Sequence, residues 1–370
     1  MKLTDRLNRW VHPFFSWRVR QYYRRELRGW EKMHPESFGE VSPDLTREYE
    51  RLWSRIIPKP YDGWLRLLTK LSGKQDYRFM PADAYYSVIE RCLNNCELSN
   101  SGIDDKNQMY NLAPEKYLPK AYLHYSRGVW FDAEMNPVSR NAAASIVASI
   151  DFDVVGKVAA NTFGGHGVKC LHHGDIDLEW IERNCETYVI QEKVVQEPTA
   201  NSINPSSVNT CRLVTFRCPW SGETSVIAAM FRAGCSDTIV DNISSGGCCV
   251  DVAPDGQLAE SGVDPNFGRV AIHPRSEIRF ADIKLPFFGE MCDAAVEVAR
   301  KTLDYNIMGF DVMARPDGKP CIIEVNTTSL ASVMIQMSHP LFGDETERLV
   351  EWCVSNRDKF DRFSHIRTFY

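Results

Sequence analysis

Three oxygen-bearing side chains near the C-terminal end of the chain are spaced for metal chemistry. Asp311, Glu324 and Asn326 lie in two strand-like runs that flank Asp317-Gly318. A two-residue turn there sets Asp311 opposite Glu324 and Gly309 opposite Asn326, with all three polar side chains on one face. Like charges set directly opposite weaken a hairpin. A divalent cation reverses that penalty. Asp, Glu and Asn supply the hard oxygens that Mg²⁺ takes, and nucleotide phosphates often complete its shell. Pro316 complicates the turn, because it lacks the N–H that a two-residue hairpin uses. A type I turn over Arg315–Gly318, with Gly318 as a bulge, is the alternative. That slip sends one carboxylate to the other face. The sequence is compatible with both registers.

Four further constellations have residue types suited to chemistry. Lys157 interrupts an apolar run just before Gly164, Gly165, His166 and Gly167. A lysine in such a run needs an anion partner to offset burial. Glycines let backbone N–H groups approach phosphate oxygens, although a flexible hairpin has the same composition. No Gly-Lys-Ser/Thr follows, so this is not a Walker A loop. Next, Gln191, Glu192 and Lys193 break the apolar run 188–195. This is either an alternating strand or a hinge whose main chain bonds adenine. Asn209 and Arg212 lie where a polar stretch enters a strand; Arg212 is suited to clamp a phosphate or carboxylate, or to make a surface ion pair. Finally Asp241, Asn242, Ser244, Gly246 and Gly247 form a polar, glycine-rich stretch between strands, either a substrate-positioning loop or a plain turn.

The elements that must position these groups differ along the chain. Residues 1–60 alternate aromatic and basic side chains with a helical pattern, and Pro81-Ala82-Asp83 followed by residues 84–96 reads as a capped helix with an apolar stripe. Strands are expected over 121–124, 128–132, 152–159, 168–172, 188–195, 212–217, 225–232 and 248–252. Helices are expected over 139–150, 284–304 and 345–360. The domain reading is a helical N-terminal region over 1–105, a small lid subdomain over 106–197 and a C-terminal subdomain with the metal site over 198–370.

Net charge is −6, but residues 1–35 carry nine Lys/Arg against three Asp/Glu. That end is either a helical extension with solvated arginines or a surface for an anionic membrane or polyanion. Without a membrane-length apolar run or a signal-peptide core the expectation is a cytoplasmic protein. The twelve cysteines include no Cys-x-x-Cys pair. Cys211, Cys218, Cys235 and the adjacent Cys248 and Cys249 read as small buried hydrophobes.

Lysine, glycine loop, polar hinge, arginine strand, long helix and Asp…Glu-x-Asn hairpin follow one another in an order that resembles the ATP-grasp superfamily. The match is sharpest at the hairpin, which has the pattern of D-alanine–D-alanine ligases. More narrowly, Asp105-Lys106-Asn107, residues 128–132, residues 205–212, Asp241-Asn242 and Gly246-Gly247 resemble the sugar-transfer-associated ATP-grasp group. The resemblance covers about residues 100–345.

It implies an α+β ATP-grasp fold behind a helical N-terminal region, using ATP and Mg²⁺. Asp311, Glu324 and Asn326 would hold Mg²⁺. Lys106, Lys157 and the 164–167 loop would hold phosphates, with His166 in reach of them. Gln191, Glu192, Lys193 and Val195 would line the adenine site. Arg212 and Lys157 would be catalytic. Asn209, Arg232, Asp241, Asn242, Ser244, Gly246 and Gly247 would face substrate. The implied activity is a carboxylate–amine ligase acting through an acylphosphate, in a surface-polysaccharide or peptidic-metabolite context. Its partners would be a small-molecule, glycan or peptide carboxylate and an amine, not nucleic acid. A kinase acting on a hydroxyl and a non-catalytic ATP-binding regulator are the alternatives. One departure stands out: D-alanine ligases have arginine where this chain has Gly309, so its phosphate-binding duty would pass to Arg212 or Arg232, and D-alanine specificity is not implied.

Overall fold

A computed structural model describes residues 3–94, 105–160, 167–172, 174–235, 246–328, 330 and 332–360. Helices hold the N-terminal part. α1 spans Leu3–Met33. α2 (Pro43–Trp53) starts on Ser42, whose side chain accepts from the Leu45 N–H, with Pro43 in the first turn. Both are N-terminal start signals. α3 (Gly63–Ser72) ends on Gly73 at φ 70°, the left-handed residue that stops a helix.

The expected helix over 82–96 begins at Ala82, passes through a π turn at Tyr85–Ile89 and ends at Leu93. Asp83 is not its cap. It is buried and accepts from Arg24 Nε at 2.6 Å. Arg24 is therefore not a solvated arginine. Tyr23 stacks on Tyr86 at 4.4 Å and Trp30 meets Phe267 edge-on, so the second half of α1 packs on the body. Phe14, Trp17 and Tyr22 stay exposed.

Two antiparallel sheets follow. The first takes β1 (Ala121–Ser126), β2 (Val129–Phe131), β3 (Pro137–Val138), β4 (Val154–Val158), β5 (Val168–Leu171) and β6 (Thr187–Glu192), in the order β3-β2-β1-β6-β4-β5. Leu123, Trp130, Val154, Ile181 and Ile190 are in its core. β6 stops at Glu192, three residues before the expected end.

The second sheet takes β7 (Thr210–Arg217), β8 (Thr224–Ala233), β9 (Cys248–Asp251), β10 (Gly262–Val263), β11 (Arg269–Val270), β12 (Ile307–Ala314) and β13 (Pro320–Asn326), in the order β11-β10-β9-β8-β7-β12-β13. Alternation along each strand gives it two different faces. Leu213, Phe231 and Phe310 pack with Met291, Ala295 and Val298 of the helix Phe288–Lys301. Val214, Met230 and Ile307 share a second core with Trp53, Leu68, Tyr85 and Leu349. The N-terminal helices and the helix Thr346–Phe360 thus build on the sheet itself.

The long helix is shorter than its apolar period. Pro286 and Phe287, at φ 58°, hold its start to Phe288. Leu303, inside the expected 284–304 span, lies beyond the end and is 83% exposed.

Asn94 joins the helical part to the hairpin that matters most. Its Nδ2 donates to Ile307 O and Thr327 O, both at 2.7 Å, and its Oδ1 accepts from Ile307 N–H at 3.0 Å. The amide is 5% exposed, so its partners have no water to replace it. We expect Asn94→Ala to cost about 2–4 kcal/mol, because it leaves several buried main-chain groups unpaired. Denaturant unfolding measures this; an unchanged midpoint would contradict the clamp.

Candidate functional site

The hairpin resolves its register with two irregularities. The Gly318 N–H donates to Arg315 O and the Arg315 N–H donates to Lys319 O, each at 2.9 Å, with Gly318 at φ 84°. This is the type I turn with a glycine bulge that Pro316 favours. It pairs Ala314 with Pro320 and Val312 with Ile322, which is the slipped register. A second bulge then leaves Ile323 unpaired and takes up the slip. Beyond it Asp311 pairs with Glu324, and Gly309 with Asn326. The three side chains return to one face.

β7 runs on the other side of β12 and places Arg212 opposite Asp311. Arg212 donates to both carboxylate oxygens, Nε to Oδ1 at 2.5 Å and an Nη to Oδ2 at 3.1 Å. Arg232 of β8 reaches Oδ2 at 2.8 Å and also donates to Thr210 Oγ1. All three charged groups are nearly inaccessible. Burial alone would raise the Asp311 carboxyl. The two guanidinium groups outweigh it and hold the acid below the usual carboxylate range.

Gly309 explains its own departure from the D-alanine ligase pattern. A Cβ there would lie 2.7 Å from Leu330 Cδ2 and 3.3 Å from Arg212 Cδ. Leu330 and, less tightly, the Arg212 stem occupy that space.

The first sheet contributes two lysines. Lys106 Nζ lies 3.1 Å from Glu324 Oε1, and its backbone N–H donates to Ala159 O just past β4. Lys157, on β4, is buried. Burial first, then the field of Lys106, pulls its pKa down to about 8, against the pull of Glu324 and Asp311. Lys106 and Lys157 therefore both act on Glu324, and Lys157 also feels Asp311. His124, absent from the sequence reading, steadies this corner. Its Nδ1 lies 2.8 Å from Asn107 Oδ1, and burial drops the imidazole to about 4, so it stays neutral.

The hinge residues also take shape. Gln191 is buried at the end of β6. Lys193, Val194 and Val195 follow without regular secondary structure and make no main-chain hydrogen bond among the described residues, which leaves those groups available to a ligand. Glu192 is not available. It accepts from Arg315 at 2.5 Å and from the Lys120 N–H at 2.7 Å, and these bonds outweigh burial to hold its carboxyl low. Arg315 is a second residue the sequence reading missed. It ties the hairpin turn of one sheet to the hinge of the other.

Asn209 is turned inward. Its Nδ2 donates to Ala200 O and Asn204 O, both at 2.9 Å, and its own N–H bonds Gln196. Its amide fixes the loop before β7 and does not face a substrate. Gly167 ends the glycine loop at φ 79°, and Gly246 turns into β9 at φ 90° beside Gly247. Gly164, Gly165, His166, Asp241, Asn242 and Ser244 lie outside the described residues.

The donors present fit a hard divalent cation. Both lone pairs of Asp311 Oδ2 are used by arginines, while Oδ1 accepts one bond and keeps one lone pair. Glu324 has one oxygen on Lys106 and is only part-buried. The Asn326 amide has a buried Nδ2 without a hydrogen-bond partner, a donor suited to an anion such as phosphate, and its Oδ1 is the oxygen it could offer a cation. Lys106, Lys157, Arg212 and Arg232 gather around Asp311 and Glu324. A cluster of cations of this kind suits a polyanion.

The chain matches the model of the sugar-transfer-associated ATP-grasp family over residues 89–346, well over half its length, and it belongs to that family. Its α+β architecture, with two antiparallel sheets behind a helical N-terminal region, is the ATP-grasp fold. Similar solved structures include an ADP complex of N5-carboxyaminoimidazole ribonucleotide synthetase, at 14% identity and TM-score 0.39, matching 66% of this chain and 52% of that one. D-alanine–D-alanine ligase from Bacillus anthracis matches at 15% identity and TM-score 0.38, over 71% of each chain. L-amino acid ligase from Bacillus licheniformis matches at 12% identity and TM-score 0.37, over 72% of this chain and 49% of that one. The chain thus spans about half the length of the first of these relatives. No curated protein matches it. Among the described residues no helix is long and apolar enough to cross a membrane.

Lys157 gives a pH test of the site. Its folded pKa is about 8 and a free lysine titrates near ~10.4. Between those values the unfolded chain binds more protons, so this group makes stability rise with pH from about 8 to ~10.4. Below about 8 the full cost of the buried charge remains, on the order of 3 kcal/mol. We expect Lys157→Met to be more stable than wild type at pH 7, with the difference shrinking as pH rises through that window. Chemical denaturation of both proteins across pH measures it, and a pH-independent difference would overturn the assignment.

Proposed function

We propose that the protein is an ATP-dependent ligase that joins a carboxylate to an amine. The observation that carries this reading is the buried cluster in which Lys106, Lys157, Arg212 and Arg232 meet Asp311 and Glu324, in a chain of the ATP-grasp family. In this reading the main chain of Lys193 and Val195 bonds adenine beside Gln191. Lys106 and Lys157 hold the α- and β-phosphates, and residues 164–167 cover the γ-phosphate. Asp311, Glu324 and Asn326 would hold Mg²⁺, which neutralises phosphate charge when bound.

The substrate carboxylate attacks the γ-phosphorus, ADP leaves, and an acylphosphate results. Arg212 lies beside that path and stabilises the negative charge on the transferring phosphoryl group. An amine then displaces phosphate, loses a proton and forms the amide. Arg232 and the 241–247 stretch would face the carboxylate substrate. A small molecule, a glycan uronate or a peptide terminus all suit a cationic pocket of this kind, in a surface-polysaccharide or peptidic pathway inside the cell.

The N-terminal helix offers a place for a polyanionic or membrane-linked partner. Phe14 and Trp17 stack at 6.0 Å on its exposed side, near exposed Arg18 and Arg25.

Hydroxylamine tests the chemistry. With Mg·ATP and a panel of uronic, amino and peptidic acids, a ligase yields a hydroxamate together with ADP and free phosphate. Arg212→Met should lower that rate by ~10²–10³. A stable phosphoester on a hydroxyl, formed without free phosphate, would instead make the protein a kinase.

A further inference from the structure

A second cluster lies on the opposite face of the large sheet. Arg232 pairs with Cys249, and Ala233 with Cys248, so Cys248 points away from the side that carries Arg232 and Asp311. Cys235 follows two residues after Ala233. His273 approaches from the loop after β11, which is closed by the His273 N–H to Ile278 O bond and by a bridge between Ile272 and Arg279. His273 and Cys248 are buried, and Cys235 is half-buried.

The three ligand atoms lie within 4.8 Å of one another. Cys235 Sγ is 3.7 Å from Cys248 Sγ and 3.6 Å from His273 Nε2. A disulfide would need about 2.05 Å between the sulfurs, so these are separate thiols. A tetrahedral ion with Zn–S of about 2.3 Å and Zn–N of about 2.05 Å puts its donors about 3.8 Å (S to S) and about 3.6 Å (S to N) apart. Both measured separations match those tetrahedral edges.

We propose that Cys235, Cys248 and His273 form a binding site for a zinc-class divalent ion, separate from the nucleotide cleft. Two sulfurs and an imidazole suit a borderline-soft metal and not Mg²⁺. His273 has the outer partner such a ligand needs, since its Nδ1 lies 3.0 Å from Ser276 Oγ. With Nδ1–H donating there, the Nε2 lone pair is left for the ion. The other tautomer, with Nε2–H donating to Gly234 O at 3.1 Å and Nδ1 accepting from the Ser276 N–H, is the arrangement of a plain buried histidine. That arrangement leaves the two thiols as weak donors to Ala233 O, at 3.7 and 3.8 Å, and does not require both sulfurs and the imidazole to meet at tetrahedral spacing. Among the described residues no fourth His, Cys, Asp or Glu joins the group, which leaves one tetrahedral position for solvent. Cys235 and Cys248 flank residues 236–247, so the ion would tie both ends of that stretch to the 271–279 loop.

Zinc itself is the probe. The full chain, purified under reducing conditions and stripped with chelator, is dialysed against Zn²⁺, desalted and assayed for metal by mass spectrometry. We expect about one tightly held zinc per chain, lost in Cys235→Ser/Cys248→Ser and sharply reduced in His273→Asn. Co²⁺ added to the stripped wild type should give a sulfur-to-cobalt charge-transfer band that zinc abolishes. This second readout needs no variant to fold. Zinc well below one equivalent, equal zinc in the double-serine variant, or Co²⁺ without a thiolate band would overturn the site. So would a pair that only oxidises to a disulfide.

Discussion

A buried carboxylate held by two guanidinium groups organises this protein. Asp311 takes Arg212 from the neighbouring strand and Arg232 from the strand beyond. None of the three would tolerate burial alone. Losing the partner of such a charge commonly costs ~3–5 kcal/mol. The arrangement therefore fixes β12, β7 and β8 relative to one another and sets where the cationic cluster lies. It also favours a glycine at 309, where a side chain would press on Leu330 at 2.7 Å and crowd the Arg212 stem at 3.3 Å.

The hairpin serves that ion cluster through two opposite irregularities. The turn at Pro316 costs the register one residue, and the bulge at Ile323 returns it. Only the pair of defects keeps Asp311 and Glu324 on one face. Arg315, just before the turn, then reaches Glu192 on the other sheet. The element that presents the oxygen donors is thus tied directly to the chain that would bond a base.

Much of this was legible in the sequence because local physics and tertiary physics agreed. The runs expected as strands at 212–217, 225–232 and on either side of the 317–318 turn fold as strands, and the positions singled out for charge, Lys106, Lys157, Arg212, Arg232, Asp311 and Glu324, converge. Readings diverged where a contact or a helix end that residue type alone does not reveal decides the outcome. Asp83 resembled a helix cap until Arg24 claimed it. Asn209 resembled a substrate contact, but its amide is used up by nearby carbonyls. Leu303 continued an apolar period past the point where the helix ends. Cys235 and Cys248 resembled buried hydrophobes, and their relation to His273 depends on a loop some 25 residues away, which no local spacing encodes.

A crystal structure with Mg²⁺ and a non-hydrolysable ATP analogue tests the central claim most directly. The account predicts a cation about 2.0–2.1 Å from oxygens of Asp311, Glu324 and Asn326, bridging to phosphates that also contact Lys106 and Lys157. A nucleotide bound elsewhere, or a cation in the cleft that leaves those three side chains uncoordinated, would contradict it.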